Sequence, residues 1–269
     1  VLLPKINIGK LNFKGNRIFS LKKTNIFKLN ANNEISYNSK NKLLLSTSGT
    51  TGSTKMVRLS EQNLFYNSES ICSYLKINKN NSCITTLPTA YSYAVSIINS
   101  HLLRGAKIFI NNLKIVNPKF WTFVKKNKIS SLSFVPDQFE ILANYNFFNK
   151  KIKTIKYMTS AGGRLKEKVI RYLKEYSKKN TFLFYVMYGQ TEASPRISYY
   201  LLNKTNFENN CIGKPIKKGK LMILGKNKIG EIAYSGPNIF LGYAKNYLDL
   251  IKNKKKILLL RTGDIGYKD

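Results

Sequence analysis

Short apolar runs alternate with longer amphipathic segments along most of the chain, and this pattern predicts strands followed by helices. From Lys42 onwards we predict strands at residues 43–46, 83–87, 107–110, 131–135, 155–158 and 181–188. Between them we predict helices at residues 60–75, 92–103, 118–126, 138–145 and 166–177, the first of which is capped by Ser60. Strands and helices that alternate at this spacing indicate parallel α/β sheets with crossover helices.

Both ends of the chain depart from this alternation. Residues 1–40 are polar and rich in Asn and Lys, and their short apolar pieces are compatible with edge strands or with a surface loop. After Ser198, repeated glycines separate short alternating segments, which is typical of a small antiparallel β structure. We therefore expect an irregular N-terminal segment at 1–40, an α/β core at 41–200 and a β-rich subdomain at 201–269.

The chain is strongly basic, yet its composition argues against nucleic acid as a partner. Lys and Arg number 46 against 13 Asp and Glu, which gives a net charge of +33. Only 7 of these cations are Arg, whereas nucleic-acid interfaces favour Arg for bidentate contacts. The 39 Lys are scattered and accompany 31 Asn, as AT-rich codons would produce. Nucleic-acid binding stays as an alternative, which predicts tight and strongly salt-dependent association.

Cysteine, histidine and hydropathy narrow the class of protein further. Cys72, Cys83 and Cys211 are isolated, which fits a reducing compartment and excludes a disulfide framework or a zinc ribbon. The single histidine, His101, falls in a predicted helix, where a packing or capping role is more common than catalysis. No apolar run approaches the roughly 20 residues that span a bilayer. These features indicate a cytoplasmic protein without a membrane span.

The strongest local signal is a loop rich in hydroxyl groups and glycine, with the sequence STSGTTGSTK at residues 46–55. Its two glycines allow backbone N–H groups to turn towards an anion, and Lys55 adds a positive charge. The loop differs from a Walker A motif, because Lys55 does not directly follow a glycine. It is a candidate phosphate-binding loop, and the alternative is an ordinary surface loop.

Two further segments directly follow apolar strands, where open α/β sheets bind ligands. The sequence YGQTE at 188–192 offers an aromatic ring, a hydroxyl group and a carboxylate oxygen suited to Mg²⁺. The sequence RTGD at 261–264 ends in a carboxylate that can accept two hydroxyl donors, as a ribose diol requires. Taken singly, each segment is equally compatible with a polar turn.

The order of these three segments resembles the adenylate-forming superfamily, which comprises acyl-CoA synthetases, luciferases and the adenylation domains of peptide synthetases. Intervening pieces agree with the family pattern, namely LPTAYSY at 87–93, SAGGRL at 160–165, and GEIA at 230–233 with Gly236 and the GY pair at 242–243. The resemblance covers residues 43–269 and favours the acyl-CoA-ligase branch. It implies the fold of the family's large N-terminal domain, ATP and Mg²⁺ as cofactors, a small carboxylic acid as substrate, and CoA or an acyl or peptidyl carrier protein as acceptor.

The resemblance also implies roles for individual residues, and we assign catalytic roles to Lys55, Thr191 and Glu192. The residues implied to close over the β- and γ-phosphates of ATP are Thr47, Ser48, Gly49, Thr50, Thr51, Gly52 and Lys55. Those implied for the adenine site are Gly162, Gly163 and Arg164, with the ring of Tyr188 stacked on the base beside Gly189. Thr191 is implied to bond a phosphate or carboxylate oxygen, Glu192 to hold Mg²⁺, and Asp264 to bind both ribose hydroxyls. The residues implied to line the acyl pocket are Tyr91, Tyr93, Phe134 and Met187.

The chain departs from the family pattern at single positions and in length. Thr54 and Met56 replace the frequent Pro and Gly on either side of Lys55, without loss of a charge or a donor. Family members are much longer and add both N-terminal residues and a C-terminal domain that carries a further lysine. We therefore expect the core of an ATP-dependent acyl-adenylate-forming ligase, in a piece that is weakly active or inactive alone. The alternative is a remnant that holds a nucleotide without turnover.

Overall fold

The computed structural model describes residues 2–4, 15–21, 24–29, 40–46, 55–145, 152–203, 210–225, 228–246, 248–251 and 256–268. The chain divides into two units, Val1–Asn38 and Ser39–Asp269. In the first unit, strands β1 (Leu2–Pro4), β2 (Gly15–Leu21) and β3 (Thr24–Leu29) form an antiparallel sheet in the order β1-β3-β2. The N-terminal segment thus contains strands, one of the two structures that its composition allowed.

The second unit contains the helices and strands that the chain pattern predicted. Its strands are β4 (Leu43–Ser46), β5 (Met56–Leu59), β6 (Ser82–Thr85), β7 (Lys107–Ile110), β8 (Ser131–Phe134), β9 (Tyr157–Ser160), β10 (Leu183–Gly189), β11 (Arg196–Leu201), β12 (Lys214–Pro215), β13 (Lys220–Leu224), β14 (Ile229–Ser235), β15 (Tyr243–Ala244) and β16 (Leu260–Tyr267). Its helices are α1 (Glu61–Leu75), α2 (Ser92–Leu103), α3 (Pro118–Lys126), α4 (Pro136–Asn144), α5 (Glu167–Asn180) and α6 (Leu248–Ile251). The predicted elements occur within a few residues of these bounds.

A seven-stranded sheet with the order β12-β11-β10-β9-β8-β6-β7 organises the second unit. The five strands from β6 to β10 are parallel, whereas β11 and β12 continue the sheet antiparallel. The predicted α/β class with parallel strands is therefore confirmed. The large sheet extends to Pro215, beyond the predicted boundary at residue 200. β11 is not among the predicted strands, because the change of pattern was placed at Ser198, which lies inside this strand.

Helices cover both faces of the parallel strands, and successive residues of each strand feed different apolar cores. In β10, Phe184 belongs to the core beneath α3, α4 and α5, whereas Tyr185 belongs to the core beneath α1 and α2. In β9, Met158 and Tyr157 divide in the same way. This alternation follows from the two-residue repeat of a strand and decides which side chains can meet.

Two smaller antiparallel sheets lie beside the large one, in the orders β15-β5-β4 and β13-β14-β16. The antiparallel structure expected after Ser198 is therefore confirmed. A third apolar cluster takes residues from both small sheets and from the segment between β10 and β11, among them Val57, Tyr234 and Ala193. This cluster joins the motif-bearing segments that are far apart in the sequence.

Local signals fix the ends of the first helix. The Ser60 Oγ accepts a hydrogen bond of 3.1 Å from the Asn63 backbone N–H, and the Ser60 N–H donates to Asn63 Oδ1 at 2.9 Å. This reciprocal pair is a capping box, which satisfies two backbone N–H groups at the start of the helix. Across the part of the chain that the structure describes, α1 is the longest helix at 15 residues, and no helix is long and apolar enough to cross a membrane.

His101 lies in the last turn of α2 and is only 2% exposed. Its Nδ1 lies 2.8 Å from the Ile97 carbonyl oxygen, and its Nε2 lies 3.0 Å from the Tyr157 hydroxyl. Burial lowers the pKa of His101, so the folded chain keeps the ring neutral while the unfolded chain takes up a proton more readily. The predicted packing role therefore agrees with its surroundings.

We expect stability to depend on pH through this histidine. The folded pKa is depressed, so the contribution is fully present above the unfolded pKa of about 6.5 and is lost as pH falls towards the folded value. The free energy of unfolding should fall by up to about 1.4 kcal/mol per pH unit in that window. Urea titrations at several pH values would measure the slope, and His101→Gln should reduce it. Equal slopes in both proteins would contradict this assignment.

Candidate active site

A cleft of about 1820 Å³ opens at the carboxyl ends of β9 and β10. Ligands bind at this edge of open α/β sheets, because the loops that follow the strands meet there. The predicted site residues that line the cleft are Lys55, Tyr91, Tyr93, Gly162, Gly163, Arg164, Met187, Tyr188, Gly189, Thr191, Glu192 and Asp264. The loop residues Thr47, Ser48, Gly49, Thr50, Thr51 and Gly52 lie outside the described residues. The fold thus brings together residues from five separate segments.

Phe134, in contrast, does not line the cleft. It is 1% exposed and packs with Phe120 and Phe139 beneath α3 and α4. Tyr93 belongs to the core on the other face of the sheet, where the Ser133 hydroxyl accepts a bond of 2.8 Å from Thr159. Because neighbouring residues of a strand point to opposite faces, β8 presents Ser133 to that side. The prediction of Phe134 as a pocket residue is therefore wrong.

The turn after β9 forms one wall of the cleft and requires glycine. Gly162 has a φ of +87°, and a Cβ atom placed there would come within 2.1 Å of the Tyr91 hydroxyl. A side chain at this position would therefore combine backbone strain with a collision. The close approach places Tyr91, which precedes α2, directly against the Gly162 turn.

Thr191 and Glu192 lie in a short 3₁₀ turn, Thr191–Ala193, directly after β10. The Thr191 hydroxyl donates to the Ser92 Oγ at 3.2 Å, which links this turn to the first residue of α2. On the other side, the Phe240 backbone N–H donates to the Glu192 carbonyl oxygen at 2.8 Å. The turn is therefore held on one side by α2 and on the other by the segment between β14 and β15.

The carboxylate of Glu192 has a partner that sequence reasoning missed. The Tyr243 hydroxyl donates to Glu192 Oε1 at 2.7 Å, and the Lys55 ammonium lies 5.9 Å from the centre of the Tyr243 ring. Burial, and then the neighbouring Glu192 carboxylate, raise the pKa of Tyr243 above its usual range, so it remains a donor. The GY pair at 242–243 was the available signal, although its spacing did not reveal the contact.

Asp264 also accepts a tyrosine hydroxyl. The Tyr188 hydroxyl donates to Asp264 Oδ2 at 2.5 Å, and burial followed by this hydrogen bond raises the pKa of Tyr188. Tyr188, which is predicted to stack on the adenine, and Asp264, which is predicted to bind the ribose hydroxyls, therefore lie in direct contact. This carboxylate is seen to accept a hydroxyl donor, which is the chemistry that a diol offers.

The segment that carries Asp264 is fixed by β14. The Thr262 hydroxyl donates to the Ile232 carbonyl oxygen at 2.7 Å, and the Gly263 N–H donates to Glu231 Oε1 at 3.1 Å. Arg261 forms an ion pair with the same Glu231 carboxylate, which lowers the pKa of that carboxyl group. The GEIA segment therefore supports the position of the TGD segment.

Positive charge predominates around the cleft. The charged lining residues among those described are Lys55, Arg164, Arg196, Lys214, Lys220 and Lys268 against Glu192 and Asp264. Of these cations only Lys55 and Arg164 were predicted site residues, because the motifs do not include the others. A cleft with this excess of positive charge suits a ligand with several negative charges.

The large mostly parallel sheet, its helices and the adjoining antiparallel sheets have the fold of the N-terminal domain of adenylate-forming enzymes. The chain belongs to the AMP-binding enzyme family, whose model matches residues 25–244.

Individual relatives agree with this assignment. A probable 4-coumarate–CoA ligase 3 from Dictyostelium discoideum is 28% identical over 233 residues, which are 83% of this chain and 42% of that protein. A 2-succinylbenzoate–CoA ligase from Oceanobacillus iheyensis is 25% identical over 237 residues, which are 84% of this chain and 47% of that protein. The chain thus spans less than half the length of these relatives.

The solved structure of O-succinylbenzoate coenzyme A synthetase (MenE) from Bacillus subtilis has a similar fold. Its complex with AMP gives a TM-score of 0.73 at 21% identity, over 87% of this chain and 48% of that chain. Its complex with ATP and magnesium ion gives a TM-score of 0.71 at 22% identity, over 84% and 47% of the two chains.

The Tyr243–Glu192 hydrogen bond can be tested through stability alone. Tyr243→Phe removes a donor to a carboxylate at 2.7 Å, and we expect the free energy of unfolding to fall by about 1–2 kcal/mol. Urea denaturation would measure the change. Tyr267→Phe is the matched control, since Tyr267 is 64% exposed and water can replace its hydroxyl contacts. An equal effect of both substitutions would count against the bond.

Proposed function

We propose that the protein containing this chain is an ATP-dependent ligase that activates a carboxylic acid as an acyl-adenylate, releases pyrophosphate and passes the acyl group to a thiol. The observation that carries the proposal is the convergence of Lys55, Thr191, Glu192 and Asp264 on one cleft. These residues come from segments far apart in the sequence, and the excess of cations in the cleft suits a triphosphate. Membership of the AMP-binding family supports the same reaction.

In this proposal the predicted residues other than Phe134 have the following roles. Thr47, Ser48, Gly49, Thr50, Thr51 and Gly52 donate hydrogen bonds to the β- and γ-phosphates together with the Lys55 ammonium. Gly162, Gly163 and Arg164 face the adenine, Tyr188 stacks on it beside Gly189, and Asp264 accepts the ribose hydroxyls. Tyr91, Tyr93 and Met187 line the acyl side. The Tyr188 hydroxyl contact of Asp264 is given up when a ribose binds there.

The residues present fit a magnesium ion bound with substrate. Among the described residues, no group of three or more His, Cys, Asp or Glu side chains could hold a metal by itself. Glu192 supplies one hard carboxylate oxygen, and Mg²⁺ commonly binds through one or two carboxylates together with substrate phosphates and water. When bound, the ion would neutralise charge on the phosphates. Glu192 is therefore its proposed protein ligand.

The chemistry needs position and charge neutralisation more than a proton acceptor. A carboxylate oxygen forms a bond to the α-phosphorus while the bond from that phosphorus to pyrophosphate breaks. The attacking carboxylate is already ionised at neutral pH, so no general base is required. In the second step a thiol sulfur forms a bond to the acyl carbon, the thiol proton is released to water and AMP leaves. Thr191 and Lys55 would hold oxygens whose charge changes in the first step.

CoA is the acceptor that we propose, because the relatives reported above are named as CoA ligases. A carrier protein bearing a thiol is the other acceptor compatible with the sequence. The two are separated by supplying either CoA or an acyl or peptidyl carrier protein after adenylate formation and measuring release of AMP. We also retain the cytoplasm as the proposed location.

Pyrophosphate exchange into ATP, measured with a panel of carboxylic acids, tests the activity. We expect exchange that requires both an acid and Mg²⁺, and Glu192→Gln should lower it about a hundredfold or more through loss of charge stabilisation. Glu140→Gln is the matched control, since its salt bridge with Lys166 lies away from the cleft lining. ATP binding without exchange for any acid would support a non-catalytic nucleotide-binding remnant instead.

Asp264 offers a separate test based on binding. We expect Asp264→Asn to weaken AMP binding about tenfold to a hundredfold, because a charged acceptor of the ribose hydroxyls is lost. The dideoxy analogue of AMP, which lacks both hydroxyls, should bind the wild-type protein and the variant equally. Isothermal titration calorimetry with both ligands measures the difference. Equal losses for AMP and its analogue would exclude a ribose contact.

A further inference from the structure

Arg196 begins β11, behind the turn that carries Thr191 and Glu192, and its side chain is almost completely buried. The residue is 2% exposed and lines the cleft. Its guanidinium carbon lies 5.3 Å from the centre of the Tyr93 ring, and its Nη2 lies 3.4 Å from the Ser96 Oγ, a long contact. The Nε is buried and has no hydrogen-bond partner. A strong planar donor group is therefore left incompletely satisfied beside the cleft.

The charge of Arg196 is not balanced by a carboxylate of the described chain. The ion pairs there are Arg104–Glu69, Lys166–Glu140, Arg171–Glu167 and Arg261–Glu231, and none includes Arg196. A guanidinium cannot give up its charge by losing a proton, and burying an unpaired charge is costly. The Tyr93 ring attracts the cation but does not neutralise it. An anion bound from outside the chain would supply the missing charge.

Arg196 lies near Thr191, the residue beside which the acid is proposed to be activated. Ser96 contacts Arg196, and Ser92, one turn earlier on α2, contacts Thr191. Four residues of helix correspond to about 6 Å along its axis. Arg196 and Thr191 both line the same cleft. An acid activated beside Thr191 could therefore carry a second anionic group that reaches Arg196.

We propose that Arg196 determines specificity by binding the second carboxylate of a short dicarboxylic acid, the other carboxylate of which is activated beside Thr191. The planar guanidinium matches a carboxylate in a two-bond arrangement, and a buried site strengthens such bonds. The proposal rests on the proposed function for the activated end. It adds the class of substrate, which the motifs leave open.

The test compares acids that differ only in the second charge. Succinate, glutarate and adipate are each paired with their half-amides, which have almost the same shape, and pyrophosphate exchange is measured with the protein containing this chain. We expect kcat/KM for at least one dicarboxylate to exceed that for its half-amide about tenfold or more, mainly through KM. A wild-type protein that uses half-amides or simple monocarboxylates as well as every dicarboxylate would overturn the proposal while leaving the proposed function intact.

Substitutions of Arg196 test whether this residue causes the preference for a dicarboxylate over its half-amide. Arg196→Met should remove the preference by raising KM for the dicarboxylate, with little change for the half-amide, and Arg196→Lys should retain part of it. Arg171→Met is the matched control, because that arginine side chain is 75% exposed and lies outside the cleft. A preference that persists in a folded Arg196→Met protein would overturn the assignment. If Arg196→Met fails to fold, Arg196→Lys and the wild-type comparison decide.

Binding provides a readout that does not depend on turnover. Calorimetry of the same acids should show tighter binding of the dicarboxylate than of its half-amide to the wild-type protein, and equal binding to Arg196→Met. Absence of exchange with every acid would refute the proposed function. The dicarboxylate site would then stand or fall on the calorimetric difference alone.

Discussion

The chain reversal between β10 and β11 is the constraint on which the cleft depends. The Asn238 side-chain amide donates to the carbonyl oxygens of Ala193 and Arg196 at 2.5 and 2.8 Å, and the Asn67 amide donates to the same oxygens at 3.2 and 3.3 Å. Both asparagines are buried. Loss of either amide would remove one hydrogen bond from each of these two carbonyl oxygens in a buried region, which is costly. Thr191, Glu192 and Arg196 take their positions from this reversal.

The same contacts unite the two architectures of the second unit. Asn67 belongs to α1, which covers the large sheet, whereas Asn238 follows β14 of an antiparallel sheet. Tyr243 of β15 then reaches Glu192, and Asp264 of β16 meets Tyr188. Each carboxylate of the cleft thus receives a tyrosine hydroxyl from a different segment. The site lies at the junction of the sheets, so its geometry depends on their packing and on no single loop.

The spacing of apolar residues was sufficient for most elements of the α/β core. Helices α1 to α5 and the strands from β6 to β10 occur close to their predicted positions, because apolar spacing and caps such as Ser60 are local properties. β11 escaped prediction because the change of pattern was placed at Ser198, inside the strand. Phe134 was assigned to the pocket from the family resemblance, although the Ser-Leu-Ser-Phe alternation of β8 places it on the same face as Leu132. Both failures concern strands buried within the large sheet.

Motif order and residue type therefore indicated the α/β class, the adenylate-forming resemblance and most side chains that line the cleft. Those properties are carried by short stretches of the chain, so they can be recognised without knowing the distances between residues in the folded protein. The Tyr243–Glu192 contact, the Tyr188–Asp264 contact and the burial of Arg196 without a carboxylate partner among the described residues became visible only in the folded chain. The two tyrosine contacts join residues 51 and 76 positions apart, and the surroundings of Arg196 are set by the packing of several elements. Linear spacing encodes neither property.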